Sequence, residues 1–209
     1  VDGSHHAVRE VVDQCNPAGL KVGPKTRATK KINLLPGMLS NEDLRHLKEI
    51  FKDIKVEMTL LPDYSERLEG PSWTEYQSIQ QGGTPLTEIK KMHKSTGTME
   101  FGSILKHTVN KGIKSAGSIL EERFKVSLTS IGIPIGVKAT DNFFTMIEKM
   151  TLKVIPEKYK KERERLIDAY VDGNKYVSKK RAILYGEEDF VVAMAYFLAE
   201  IGVIPVLCA

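Results

Sequence analysis

The chain has 209 residues, 41% of them hydrophobic, enough for one large domain or two small ones with buried cores, which excludes collagen-like, mostly disordered and small disulfide-stapled classes. Lys plus Arg (31) against Asp plus Glu (27) leaves a net charge of only +4, a weak balance for a dedicated nucleic-acid binder. The two cysteines, Cys15 and Cys208, lie near opposite ends and form neither a disulfide framework nor a CxxC motif, so a reducing, cytoplasmic setting is expected. No apolar run approaches the roughly 18 to 20 residues that a membrane-spanning helix needs.

From Lys31 onward, short apolar runs alternate with segments of helical period, the pattern of βαβ units around a parallel sheet; the fold class is therefore α/β with Rossmann-like parallel-sheet domains. Ile32 to Leu35 is the first predicted strand, closed by Pro36-Gly37. Ser40 with Asp43 three residues on makes an acidic capping box, and Leu44, Leu47, Ile50, Phe51 and Ile54 follow at helical spacing. Val56 to Leu61 is the next strand, running into Pro62-Asp63-Tyr64-Ser65 and then a turn-rich stretch to Gly83 that holds Trp73 and Tyr76. Loops of that length in compact domains are usually functional or interfacial, so this is the expected contact surface. A short helix from Pro85 to His93, a strand from Thr98 to Phe101, a helix from Ile104 to Phe124 and an apolar run from Val126 to Ile135 continue the alternation. Thr140-Asp141 is expected to cap a short helix carrying Phe143, Phe144, Met146 and Ile147.

Pro156 suits the first turn of a helix, and Glu157 to Val177 reads as a long charged helix bridging two domains. Lys153 to Arg181 holds ten basic and five acidic side chains, an excess that interleaved Lys, Glu and Arg most simply spend on a solvated face. Ala182 to Tyr185, Glu187 to Ile201 and Val203 to Leu207 form one βαβ unit whose nearly all-apolar helix is expected to be buried. A lone unit cannot cover both faces of its strands, so a sheet ending at Ala209 reads as unfinished.

Few residues suggest chemistry. Gly186 stands alone and is followed by Glu187, Glu188 and Asp189, which would repel phosphate and complement the helix dipole themselves. Pro36-Gly37 lacks the dinucleotide fingerprint, and the five histidines include no HExxH and no pair on one helix face. Cys208 reads as a small buried hydrophobe and Cys15 as exposed, neither with an activating base. Asp63, Tyr64 and Ser65 end a strand, where ligands of open α/β sheets collect, although an Asx turn explains Asp63 more simply. Asp63, Tyr64, Trp73 and Tyr76 are the candidate contact residues, because aromatic side chains in long loops are common interface anchors. No catalytic, cofactor-binding or metal-ligating residue is assigned. Taken alone, these residues also admit a stand-alone α/β module that binds a small ligand at the strand ends.

Several ordered stretches resemble the nitrogenase component 1 family, on the side of its beta-type chains and the related cofactor-assembly scaffold chain. They are VDGSHHAVREVV from Val1, INLLPGMLSNEDLRHLKEIF from Ile32, LLPDYSERLEGP from Leu60, GGTPLTEI from Gly82, IPIGVKATDNFF from Ile133 and the long run from Ile155 to Ala209. The resemblance implies three Rossmann-like domains per chain, pairing with an alpha-type subunit, iron–sulfur clusters in the full complex and electrons delivered by an ATP-dependent iron protein. It also implies that the cluster-ligating cysteines precede Val1, so that no cofactor is bound by this segment alone. The divisions expected on this basis are 1–30 as the end of a preceding domain, 31–152 as a central domain, 153–180 as the bridging helix and 181–209 as the start of the next domain. The chain departs from the family pattern at Asn174, where DGHKY is usual, at Glu164, where ERGRL has Gly, and at Leu152, in a turn usually written TGKPIP.

Overall fold

A computed structural model of the chain describes residues 3–20, 31–67, 82–102, 104 and 114–209. The chain groups into two compact units, one within Val1–Glu100 and Lys111–Thr129, the other within Phe101–Asn110 and Ser130–Ala209.

The first unit opens on α1 (Gly3–Cys15), followed by β1 (Ile32–Leu35), α2 (Asn41–Ile54) and β2 (Met58–Leu60). Next come α3 (Leu86–Ile89), a single 3-10 turn (Met92–Lys94), β3 (Gly97–Phe101), α4 (Ala116–Phe124) and β4 (Ser127–Ile131). The strands form one sheet in the order β2-β1-β3-β4, with β1 parallel to both β2 and β3. Every residue of β1 and β3 is buried, as a parallel sheet covered on both faces requires. Leu35 and Leu61 join Val12 of α1, Ile89, Met92, and Leu120 and Phe124 of α4 in one apolar cluster. The α2 helix begins as its sequence dictates. The Ser40 hydroxyl accepts from the Asp43 N–H at 3.1 Å, the Asp43 carboxylate accepts in return, and Leu44, Leu47, Ile50, Phe51 and Ile54 are buried.

The second unit carries α5 (Val137–Thr151), α6 (Glu157–Val177), β5 (Arg181–Leu184), α7 (Glu188–Glu200) and β6 (Ile204–Cys208), with β5 and β6 paired in parallel. Aromatic side chains hold the helices: Phe143 packs edge-on to Phe101, the end residue of β3 that belongs to this second unit, Phe144 packs on Tyr159, and Tyr170 on Phe197. Arg163 donates to both carboxylate oxygens of Asp141, at 2.7 and 2.8 Å, and so joins α6 to α5.

Four expectations change. The helix expected from Ile104 to Phe124 is interrupted, because Ser115 caps a separate helix that starts at Ala116, its hydroxyl accepting from the Ser118 N–H. The segment from Pro85 to His93 is one short α-helix and a 3-10 turn. The α5 helix starts before Thr140. Its N-cap is Gly136, and the Glu200 carboxylate, far along the chain, accepts from the Val137 N–H at 2.8 Å and the Lys138 N–H at 3.3 Å. Gly136 has φ +86, and a Cβ there would lie 3.1 Å from Glu200, so only glycine lets this remote cap approach. The α7 helix is not buried all round: of its residues only Asp189, Val191 and Ala193 are buried, because a helix packed on a two-stranded sheet keeps its far side open.

Candidate functional site

The C-terminal ends of β1, β2 and β3 meet at one edge of the first unit's sheet, the edge where parallel α/β folds hold ligands. A small cleft there is lined by Ser4, His5, Leu35, Gly37, Leu61 and Glu100 and has room for about one water molecule. Gly37 has φ +71 and receives the His5 ring so closely that a Cβ would stand 3.4 Å from its Cε1 and Nε2. Glu100, only 3% exposed, is the buried carboxylate of the cleft. The Ser115 hydroxyl donates to it at 2.7 Å and the Gly117 N–H at 3.4 Å, so the start of α4 supplies the donors that a buried acid needs. This arrangement can hold a carboxylate in place, but it has no space for an organic ligand.

Asp63, Tyr64 and Ser65 sit beside this edge and turn inward. The Asp63 carboxylate accepts from the Ser65 N–H (3.2 Å) and hydroxyl (2.8 Å), which is the Asx turn the sequence suggests, and pairs with Lys48 of α2 at 2.8 Å. Burial pushes the Asp63 carboxyl up, but the hydrogen bonds from Lys48 and Ser65 outweigh it and hold the group below the ordinary carboxylate range. The Tyr64 hydroxyl donates to the Leu39 carbonyl at 2.5 Å and accepts from the Leu39 N–H at 2.8 Å, fixing the turn between β1 and α2. Arg45 adds a hydrogen bond to the Ser65 carbonyl. Trp73 and Tyr76 lie outside the described residues.

The cysteines reverse their expected roles. Cys15 is half-buried against the apolar cluster, whereas Cys208 is exposed on β6. Among the described residues, no group of three or more His, Cys, Asp or Glu side chains converges as a metal site. These two thiols, one in each unit, do not supply the roughly four thiolates that hold an iron–sulfur cluster. At α7, Glu187 itself accepts from the Asp189 and Phe190 N–H groups, so the helix start after Gly186 is filled by the chain's own carboxylate. Sequence reasoning missed Glu100 and His5. The one available signal for Glu100 was a lone acid inside the apolar strand from Gly97 to Phe101.

A family model described as nitrogenase component 1 type oxidoreductase matches residues 1–209. The chain belongs to the nitrogenase component 1 family. It is 34% identical over 175 residues to the nitrogenase molybdenum-iron protein beta chain of Clostridium pasteurianum, a match covering 84% of this chain and 37% of that one. It is 30% identical over 178 residues to the nitrogenase vanadium-iron protein beta chain of Trichormus variabilis, covering 85% of this chain and 37% of the relative. A solved structure entitled "Nitrogenase Cp1 at pH 6.5" superposes with a TM-score of 0.84 at 29% identity, over 99% of this chain and 42% of that chain. The chain thus spans about two-fifths of the length of these nitrogenase relatives, and its likeness is to their beta chains. Leu152 adopts the left-handed conformation at φ 56 while its side chain is 90% exposed. Among the described residues, no helix is long and apolar enough to cross a membrane.

Proposed function

We propose that this chain is part of a beta-type subunit of a nitrogenase-like component 1 oxidoreductase, or of the related cofactor-assembly scaffold, and that it provides position and interface. On this reading the reduction chemistry of nitrogen fixation runs on iron–sulfur clusters held elsewhere in a cytoplasmic complex. An alpha-type subunit is the partner and an ATP-dependent iron protein supplies the electrons. The observation that carries the proposal is the family match over the whole of residues 1–209, with beta chains as the relatives. The division into 1–30, 31–152, 153–180 and 181–209 belongs to the same reading.

Asp63, Tyr64, Trp73 and Tyr76 are its contact residues. Asp63 and Tyr64 anchor the start of the turn-rich stretch to α2 and to the β1–α2 turn, which supports a fixed point from which a loop can meet a partner. Anoxic co-expression with an alpha-type subunit, followed by affinity capture of that subunit, tests the proposal. Capture of the intact chain together with its loss on deleting residues 66 to 80 is the expected result, and capture unaffected by the deletion would remove the contact assignment.

A further inference from the structure

The turn between α5 and α6 points apolar side chains outward. Leu152 is 90% and Val154 77% exposed, whereas Ile155 and Tyr159 just after them are buried, Tyr159 against Phe144. The turn holds this shape through its own hydrogen bonds. The Leu152 N–H donates to the Glu148 carbonyl at 2.8 Å, and the Glu148 carboxylate accepts from the Ile155 N–H at 3.2 Å. The Thr151 hydroxyl donates to the Ile147 carbonyl at 2.7 Å and accepts from the Lys153 N–H at 3.2 Å. Leu152 therefore stands on a fixed backbone at φ 56, where a leucine is strained and its side chain gains nothing from the core. Strain kept at an exposed apolar residue points to a contact outside the chain.

The charge around the turn states the chemistry of that contact. From Glu148 to Lys161 five lysines, Lys149, Lys153, Lys158, Lys160 and Lys161, stand against two glutamates. Both acids are engaged, Glu148 with the Ile155 N–H and Glu157 with Lys160 at 3.6 Å. Lys149 and Lys153, on either side of Leu152, are exposed and make no ion pair among the described residues. An apolar centre with a cationic rim is the layout of a protein interface, and its complement is an apolar hollow rimmed with carboxylates. A phosphate backbone would use the lysines and leave Leu152 and Val154 in water.

We propose that the Leu152–Val154 tip is a docking knob for the alpha-type subunit, entering an apolar hollow whose rim carries Asp and Glu side chains; the identity of the partner rests on the subunit reading above. The knob belongs to the second unit, whereas Asp63 and Tyr64 belong to the first, so it is a separate point of attachment. A rigid turn loses little freedom on docking, and its lysines steer the approach.

The intact chain co-expressed with an alpha-type subunit tests the knob through affinity and through carbodiimide coupling, which joins a lysine to a carboxylate it already touches. Coupling of Lys149 or Lys153 to carboxylates of the alpha-type subunit is expected. Leu152→Gly should weaken binding about fivefold, and because it relieves the strained backbone the loss is not one of folding. Lys149→Glu together with Lys153→Glu should weaken binding about tenfold and reduce its sensitivity to salt. Binding that survives both changes, without coupling at the tip, would overturn the knob and leave the subunit reading standing, whereas no binding by the native chain would overturn both. Loss with the lysine changes alone would show attraction by charge without a knob. Tip-dependent binding to phosphatidylserine vesicles in place of the alpha-type subunit would make the surface a membrane contact, and either of these results also overturns the proposal.

Discussion

Two parallel sheets in this chain, built from similar apolar strands, end in different states. In the first unit β1 and β3 are buried along their whole length, with Leu34 and Met99 having no exposed surface. In the second, β5 and β6 leave Ile183 65% and Ile204 50% exposed, and Phe190 and Tyr196 of α7 also face outward. The strands of both sheets read alike in sequence, so the difference lies in what is packed on them. A parallel strand reaches full burial only when helices cover both faces, and among the described residues β5 and β6 form a sheet of two strands packed with α7.

Core truncation breaks this comparison most sharply. Leu34→Ala should cost about 2–5 kcal/mol in denaturant unfolding of the chain, since it empties a site closed on every side. Ile183→Ala should cost roughly 0.5 kcal/mol or less under the same conditions. Equal costs for the two would show that the β5–β6 sheet is covered in solution, against the 65% exposure of Ile183.

A smaller effect of opposite sign is expected at Leu152. Its left-handed backbone strains a side chain that packs on almost nothing, so Leu152→Gly should stabilise the second unit by up to about 1 kcal/mol, read as a raised denaturation midpoint. A lowered midpoint would mean that the exposed leucine makes contacts in solution.

The smallest expected effect is at Asp63 in the first unit. Its carboxyl lies below the ordinary range when folded, so its contribution is complete above the unfolded value and is lost as pH falls through the folded one. Asp63→Asn should flatten the acid limb of the stability curve and leave unchanged the stability of the native chain at its most acidic limit. An identical acid limb in both proteins would show that the Lys48 pair contributes nothing to folding.

The parts of the fold written in neighbouring residues were legible in the sequence, and those set by distant ones were not. Ser40 and Asp43 announce α2 because the cap and its partner are three residues apart, and Pro156 marks the start of α6 for the same local reason. The start of α5 was misplaced because its cap acceptor, Glu200, comes from the end of α7. The ends of α2 and α4 adopt left-handed conformations at Lys55 and Lys125 without a glycine to signal them. At the candidate site, the Asx turn of Asp63 was readable, whereas Glu100 and His5 acquire their setting only when α4 and α1 are packed onto the strand ends. The family motifs identified the ancestry of the chain, but the inward hydrogen bonds of Tyr64 follow from tertiary contacts alone.

Iron and acid-labile sulfide measured in the 209-residue chain, produced and purified without oxygen, test the central claim most directly, that this segment positions partners and leaves cluster chemistry to other residues of the complex. The account predicts that neither is present in stoichiometric amount, because Cys15 is half-buried against the apolar cluster of one unit and Cys208 stands on a strand of the other. Stoichiometric iron and sulfide would contradict it and require these thiols to complete a cluster between chains.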